Sequence, residues 1–365
     1  MSFVLPAYIP PDFTQPQFVR APDAAVVSVE RDGVAPDHFH STSMFPEYFK
    51  LGGRWVLAEE TRMDCCVVVR EDGRLDVVEN RRLIRGDRVI VGRSDDGSQG
   101  IYLHATGFQQ AEESGDSFVF RGNRSRETAF SRDYDRLYEL LRYERSNGGR
   151  ILWVMGPAFA FDCDARRAMQ RLVENGFVQG LMAGNALATH DLEASLMGTA
   201  LGQDIYTQKT CPGGHYHHLD VINLVRRSGS IPQFVEDHKI SDGIMYSVVK
   251  HHVPFVLAGS IRDDGPLPEV ISDVYAAQDA MRSLVREATT IICLATQLHT
   301  IATGNMTPSF RKVGDVIRPL YLYTVDISEF VVNKLADRGS LSALSFVTNA
   351  QDFIVHVANN VCKDA

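Results

Sequence analysis

The chain has no block of lysine and arginine. Its 37 basic residues are outnumbered by 46 acidic ones, for a net charge of -9. Phosphate backbones are held by concentrated basic surface, so the balance argues against nucleic acid as the main partner. No apolar run reaches the ~20 residues that a bilayer demands, so no membrane partner is expected. The start, MSFVLPAYIPPDF, lacks a basic segment followed by a long apolar core, so no secretory signal is expected either. The six cysteines, Cys65, Cys66, Cys163, Cys211, Cys293 and Cys362, form no C-x-x-C pair. They read as small buried apolar residues of a reducing cytoplasm. Also missing is any G-x-G-x-x-G after a strand-like run, the simplest dinucleotide signature. Proline is absent between Pro46 and Pro157, whereas seven of the fifteen prolines precede residue 50.

What is present divides the 365 residues into an extended arm over 1–40, a small antiparallel β domain over 41–130 and an α/β domain over 131–365. RWVLAEETRMDCCVVVRED and RVIVGRSDDGSQGIYLH carry short β-branched runs between turn residues, the pattern of a small antiparallel sheet. SRDYDRLYELLRYERSNGG predicts a helix that Ser131 can cap and Gly148-Gly149 end. From residue 150 strand and helix alternate. RILWVMGPA, FVQGLMAGN, VPFVLAGS, TTIICLAT, PLYLYTVDI and ALSFVTN read as strands. DCDARRAMQRLVENG, ALATHDLEASLMG, ISDVYAAQDAMRSLVREA, SEFVVNKLADRG and AQDFIVHVANNV read as helices. That alternation predicts a parallel sheet covered on both faces, with ligands at the carboxyl ends of its strands.

The loops at those ends hold the candidate chemistry. AGNALATHD offers a glycine and a helix starting near Asn185, suited to a phosphate, and ATGNM offers a second close backbone approach. AGSIRDDGPLP sets Arg262, Asp263 and Asp264 at a strand end. An aspartate there can bond a ribose hydroxyl or act as general base, and Arg262 can clamp a carboxylate. Nine of the twelve histidines lie at or after residue 190. The densest group is TCPGGHYHHLDVIN. Cys211, His215 and His217 could ligate zinc with support from His190-Asp191, or the loop could be catalytic without metal. A third reading has Gly213-Gly214 shaping a turn whose histidines cap the helix LDVINLVRRSG. Lys250 ends the helix of GIMYSVVKHH, either at a site or on the surface. Asp191 and Glu193 read as acids complementing a helix start. Arg166-Arg167 and Arg226-Arg227 read as solvated helix faces.

Several long blocks occur together in order: GPAFAFDCDARRAM, GLMAGNALATHDLEASLMGTALG, GGHYHHLDVINLVRRSGSI, GIMYSVVKHHVPFVLAGSIRDDGPLPEV, QLHTIATGNM and LADRGSLSALSFVTN. With STSMFPEYFKLGGRWVLAEETRMD before them, the chain from about residue 42 to its end resembles the archaeal-type ornithine cyclodeaminase family. That family carries the LOR/SDH conserved region and also forms the carboxyl-terminal part of bifunctional arginine dihydrolases. The resemblance implies a Rossmann-like core of the deoxyhypusine-synthase type, which accounts for the missing G-x-G-x-x-G. It implies NAD as cofactor and conversion of L-ornithine, or a related diamino acid, to L-proline with loss of ammonia. It implies NAD contacts at Asn185, Ala186, Asp264, Thr296, Gln297, Leu298, His299, Asn305, Met306 and Asp326. Such a reaction needs a carboxylate clamp (Arg262 or Lys250), a base (Asp263 or Asp264) and proton transfer (His217 or His218). Cys211 has no place in the family pattern. The competing readings are a zinc-dependent hydrolase or lyase on Cys211, His215 and His217, and a non-catalytic NAD-binding module. The expected partner is a small amino-acid substrate. Homo-oligomerisation is also expected, because the arm and β domain suit intersubunit contacts.

Overall fold

The computed structural model describes residues 3–108, 131–263, 265–328 and 343–362. The expected arm is more structured than its prolines suggest. It holds helix α1 (Pro16–Arg20) and strand β1 (Ala25–Ser28). The buried Lys50 explains the helix, since its Nζ donates to the carbonyls of Phe18, Val19 and Ala21 at 3.0, 2.9 and 2.7 Å. A cation thereby satisfies the carbonyls that the end of α1 leaves free. Strands β2 (Glu47–Leu51), β3 (Arg54–Leu57), β4 (Cys66–Val69), β5 (Leu75–Val78), β6 (Arg88–Val91) and β7 (Ile101–Leu103) follow. They build two small antiparallel sheets, β1-β6-β4-β5 and β3-β2-β7, around Phe49, Val67, Ile90 and Ile101. Residues 109–130, the end of the expected β domain, lie outside the described residues.

Helix α2 (Ser131–Ser146) leads into the α/β unit, and the expected cap at Ser131 lies at the border of the described residues. Next come β8 (Ile151–Met155), α3 (Cys163–Glu174), β9 (Gly180–Gly184) and α4 (Asn185–Met197). Asp162 caps α3 as its sequence predicts, accepting the Ala165 N–H at 2.7 Å. A short hairpin of β10 (Thr199–Ala200) and β11 (Gln203–Asp204) follows, then α5 (His217–Ser228), α6 (Ile231–Asp237) and α7 (Ile244–Lys250). The chain continues through β12 (Phe255–Ala258), β13 (Val270–Ile271), α8 (Val274–Glu287), β14 (Thr290–Leu294) and α9 (Gln297–Met306). Last are the hairpin β15 (Phe310–Val313) and β16 (Val316–Pro319), then β17 (Tyr321–Asp326), β18 (Ala343–Val347) and α10 (Ala350–Val361). The helix expected from SEFVVNKLADRG lies beyond residue 328, outside the described residues.

Among the described residues the main sheet has seven strands, β13-β12-β9-β8-β14-β17-β18, all parallel. Alternation along each strand fills two cores. Ile151, Trp153, Met155, Ile292, Leu294, Tyr321 and Tyr323 face α2, α3, α4 and α10. Leu152, Val154, Ile291, Cys293 and Leu322 face α8 and the end of α9. Burial pushes the Cys65 thiol up to about 11 and those of Cys66 and Cys293 up to about 12, so these cysteines are unreactive core residues.

The small domain docks on the α8–α9 face through Arg282, whose guanidinium donates to the carbonyls of Met306 and Thr61. On the other side, Glu144 of α2 is fully buried. It takes both Arg318 nitrogens, at 3.1 and 2.5 Å, and the Thr290 hydroxyl at 2.9 Å.

Two sequence expectations are corrected where α4 meets α3. Asp191 does not complement a helix start, because α4 begins six residues earlier at Asn185. It is fully buried, pairs with Arg166 at 2.8 Å and accepts the Ile244 and Met245 N–H groups at 3.1 and 2.7 Å. Arg166 is therefore a core residue at 2% exposure, not a solvated one. Arg226 and Arg227 are exposed, as expected. Removing one partner of a buried pair leaves the other charge uncompensated. Asp191→Ala should lower unfolding free energy by about 3–5 kcal/mol, read from urea denaturation. A change below about 1 kcal/mol would show that Arg166 finds another partner.

Candidate active site

The strand order fixes where a ligand can sit. The chain builds β8, β9, β12 and β13 outward in one direction, then returns to place β14 on the other side of β8. Connections leave the β8–β14 junction on opposite sides, so a crevice opens at the carboxyl ends of these two strands. Its floor is tight: a Cβ on Gly156, just after β8, would lie 1.9 Å from the Ala295 carbonyl oxygen, just after β14. Ala295 itself is held at φ +50°, a left-handed conformation uncommon for a residue with a side chain.

Two helices start beside this crevice with no side-chain cap. Gly184 precedes α4 and Thr296 precedes α9. Their first N–H groups are free to meet an anion, which is what a dinucleotide pyrophosphate requires. Of the residues expected there, Asn185, Ala186, Thr296, Gln297, Leu298 and His299 all lie on these two helix starts. A Cβ on Gly184 would sit 3.4 Å from His299 Cε1, so His299 reaches across the end of β8 to the start of α4. Burial lowers the His299 pKa below its ordinary 6.5, which keeps the imidazole neutral. Asn185 Oδ1 accepts the Leu267 N–H at 3.0 Å, which ties the loop after β12 to the same corner. Asp326 ends β17, next to β14. Arg262 and Asp263 lie after β12, Arg262 exposed and Asp263 accepting the Ser260 N–H at 2.8 Å. Asp264 lies outside the described residues.

Three expected residues lie away from these two helix starts. Lys250 ends α7 before β12 begins at Phe255, so it stands at the amino edge of the sheet. There it is exposed, with its ammonium 5.1 Å from the Tyr246 ring centre. Asn305 and Met306 close α9, about 13 Å along the helix from its start. Met306 is fully buried in the core. Asn305 lines a cleft of about 310 Å³ that also takes in Leu298 at the α9 start, with Arg62, Met63, Asp64 and Gln278.

The histidine loop has its own structure. Gly213 adopts φ +70° and Gly214 packs against Gly202 so closely that a Cβ on Gly202 would meet the Gly214 carbonyl carbon at 2.4 Å. Only glycines allow this backbone contact. The pinned loop delivers His217 to Thr199, Nδ1 to Oγ1 at 2.7 Å. Thr199 also bonds Glu193 Oε1 at 2.9 Å, and His190 Nδ1 lies 3.0 Å from Glu193 Oε2. The Leu201 and Gly202 N–H groups donate to the same carboxylate at 3.0 and 2.9 Å. Burial works against the Glu193 charge, but the bonds from His190, the Gly202 N–H and Thr199 outweigh it and hold the pKa below its ordinary value. The rings of His190 and His218 are 6.0 Å apart, and Phe161 stands 5.4 Å from His190.

This network corrects the zinc reading. His217 Nδ1 is engaged by Thr199, His215 is exposed and 4.0 Å from the Tyr216 ring, and Cys211 is held through its backbone by Gly202. Among the described residues no three His, Cys, Asp or Glu side chains are grouped to hold a metal ion. The cluster also stands lower than a loop reaching over the sheet end would. Glu193 is about 12 Å along α4 from its start. Glu193 and Thr199 were not singled out for chemistry. The available signal was ALATHDLEASLM, which has no polar stripe, so its acids cannot all reach water.

The family models for the arginine dihydrolase ArgZ-like carboxyl-terminal region match residues 46–127, its first region, and 136–357, its Rossmann fold. Ornithine cyclodeaminase of Methanocaldococcus jannaschii is 40% identical over 332 residues, 89% of this chain and 74% of that protein. A crystal structure described as a conserved putative LOR/SDH protein from Methanococcus maripaludis aligns with TM-score 0.83 and 36% identity, covering 93% of this chain and 98% of that one. The bifunctional arginine dihydrolase/ornithine cyclodeaminase AgrE of Nostoc sp. is 36% identical over 91% of this chain and 46% of its own length. The structure of AgrE in ternary complex with ornithine and NAD+ aligns with TM-score 0.60 and 34% identity, over 96% of this chain and 47% of that one.

Two outcomes follow from this geometry. Gly202→Ala should cost about 1–3 kcal/mol and raise amide exchange across 199–217 while leaving β17 protected. Unchanged exchange in that segment would mean that the Gly202–Gly214 contact does not hold the loop. Because the folded state disfavours protonated His299, unfolding takes up a proton below the ordinary histidine value. Stability should therefore fall as pH drops below about 6.5, and less steeply in His299→Gln, measured as denaturant midpoint against pH. Equal slopes would put the titration on another group.

Proposed function

Since the chain belongs to the arginine dihydrolase ArgZ-like carboxyl-terminal family, we propose that it is an NAD-dependent cyclodeaminase converting L-ornithine to L-proline and ammonia. The observation that carries this reading is the crevice between β8 and β14, where two uncapped helix starts and a neutral imidazole share one strand edge. NAD, when bound, supplies a hydride acceptor for the substrate α-carbon and returns the hydride, so no net oxidation results.

The chain's own residues do the rest. The N–H groups at the starts of α4 and α9, from Asn185-Ala186 and Gln297-Leu298, hold the pyrophosphate, and Asp326 lies where a ribose hydroxyl can be bonded. Of the two cations considered for the substrate carboxylate, Arg262 is at the carboxyl edge and Lys250 is not. Asp263 supplies a carboxylate at the same strand end to take the ammonium proton. His299, neutral by burial, accepts or returns a proton at the crevice. His217 and His218 keep a proton-transfer role, from the flank of α4. In this reading the protein works in the cytoplasm as a homo-oligomer on a small amino acid.

The purified full chain should carry NAD detectable by mass spectrometry and release ammonia from ornithine without accumulating NADH. Loss of the charge-assisted bond in Arg262→Ala should raise KM roughly 10- to 100-fold. No ammonia from ornithine, lysine, arginine or diaminobutyrate would sink the proposal.

A further inference from the structure

A carboxylate can only accept hydrogen bonds, and its two oxygens offer about four acceptor positions. Glu193 fills them: Thr199 Oγ1 and the Gly202 N–H on Oε1, His190 Nδ1 and the Leu201 N–H on Oε2. This fixes where the hydrogens go. Thr199 has a single hydroxyl proton, and it is committed to Glu193 Oε1. Its oxygen, 2.7 Å from His217 Nδ1, must then accept, so that nitrogen carries a hydrogen. The same logic puts a hydrogen on His190 Nδ1, which faces Glu193 Oε2 at 3.0 Å. Neither Nε2 has a hydrogen-bond partner among the described residues.

We infer that Glu193 and Thr199 are positioning residues that hold His217, when neutral, in its Nδ1–H form, and that Glu193 alone does the same for His190, so that the lone pair of each neutral ring is on Nε2. Imidazole in water prefers the other tautomer, so the network selects a form that solvent would not. His218, whose buried Nδ1 has no hydrogen-bond partner among the described residues and whose ring is 6.0 Å from His190, is not under this control. The base role of His217 rests on the cyclodeaminase reading, whereas the tautomer does not.

The test is nitrogen-15 NMR of the histidine side chains of the full chain, with His217 assigned by its loss in His217→Asn. The wild type should show neutral His217 protonated on Nδ1. Thr199→Val, which keeps the shape and removes the hydroxyl, should shift the proton to Nε2, and Thr199→Ser should keep it on Nδ1. Ornithine turnover should fall at least about tenfold in kcat in Thr199→Val with KM nearly unchanged, and recover in Thr199→Ser. A wild-type His217 protonated on Nε2, or one unaffected by Thr199→Val, overturns the assignment. A tautomer that behaves as stated together with an unchanged kcat overturns the base role alone. Absence of any wild-type turnover fails the cyclodeaminase reading and leaves the NMR result decisive for the tautomer.

Discussion

A helix buried on every side carries two carboxylates, and much of the α/β domain is arranged to satisfy them. Every residue of α4 from Leu187 to Ala194 is buried. A charge in that setting survives only with partners, because desolvation alone would cost several kcal/mol. Asp191 and Glu193 are two residues apart and so point to different sides of the helix. Asp191 recruits Arg166 from α3 and the first N–H groups of α7. Glu193 recruits His190, Thr199 and the backbone of the β10–β11 hairpin. One acid thereby sets the start of the helix that leads into β12, and the other sets the turn that aims His217.

The second constraint is topological. With β8 and β14 adjacent and their crossovers leaving on opposite sides, the strand order opens a crevice at their carboxyl ends. The chain then narrows the opening from below, through the contact of Gly156 with the Ala295 carbonyl. A glycine fingerprint is unnecessary under these conditions. Gly184 alone supplies an uncapped helix start, and Thr296, whose side chain makes no cap bond, supplies another.

The strands and most helices were legible because their signal is periodic. The six runs quoted as strands are strands in one parallel sheet, and Asp162 caps α3 where an aspartate before an apolar run says it should. The carboxyl-edge positions after β9 and β12 followed from the same rhythm, whereas Thr296 to His299 after β14 and Asp326 after β17 were implied by the family resemblance. What was hidden is pairing across long sequence separations. Arg166 looks like half of a surface dibasic pair until Asp191, 25 residues on, is placed beside it. Lys250 looked close to RDDG in sequence, but a strand lies between them and carries the two to opposite edges of the sheet. Asn305 and Met306 were separated from Thr296 by the length of a helix, which a motif read as one block conceals. The hairpins β10–β11 and β15–β16 were missed because their strands of two and four residues leave almost no alternation to detect.

The cysteine and histidine loop shows why donor types alone do not define a site. Cys211, His215 and His217 are all competent zinc ligands, and a count of them favours metal. Metal binding also needs lone pairs converging on one point. Here the Gly202–Gly214 contact holds the loop flat against the hairpin, and that leaves Cys211 bound through its backbone and His215 in solvent. His217 turns its Nδ1 toward a hydroxyl whose proton is already committed to Glu193. A zinc ion on that nitrogen would have to displace Thr199, stripping the buried Glu193 of one of its four hydrogen bonds. The buried acid therefore both aims the imidazole and makes it a poor ligand through Nδ1.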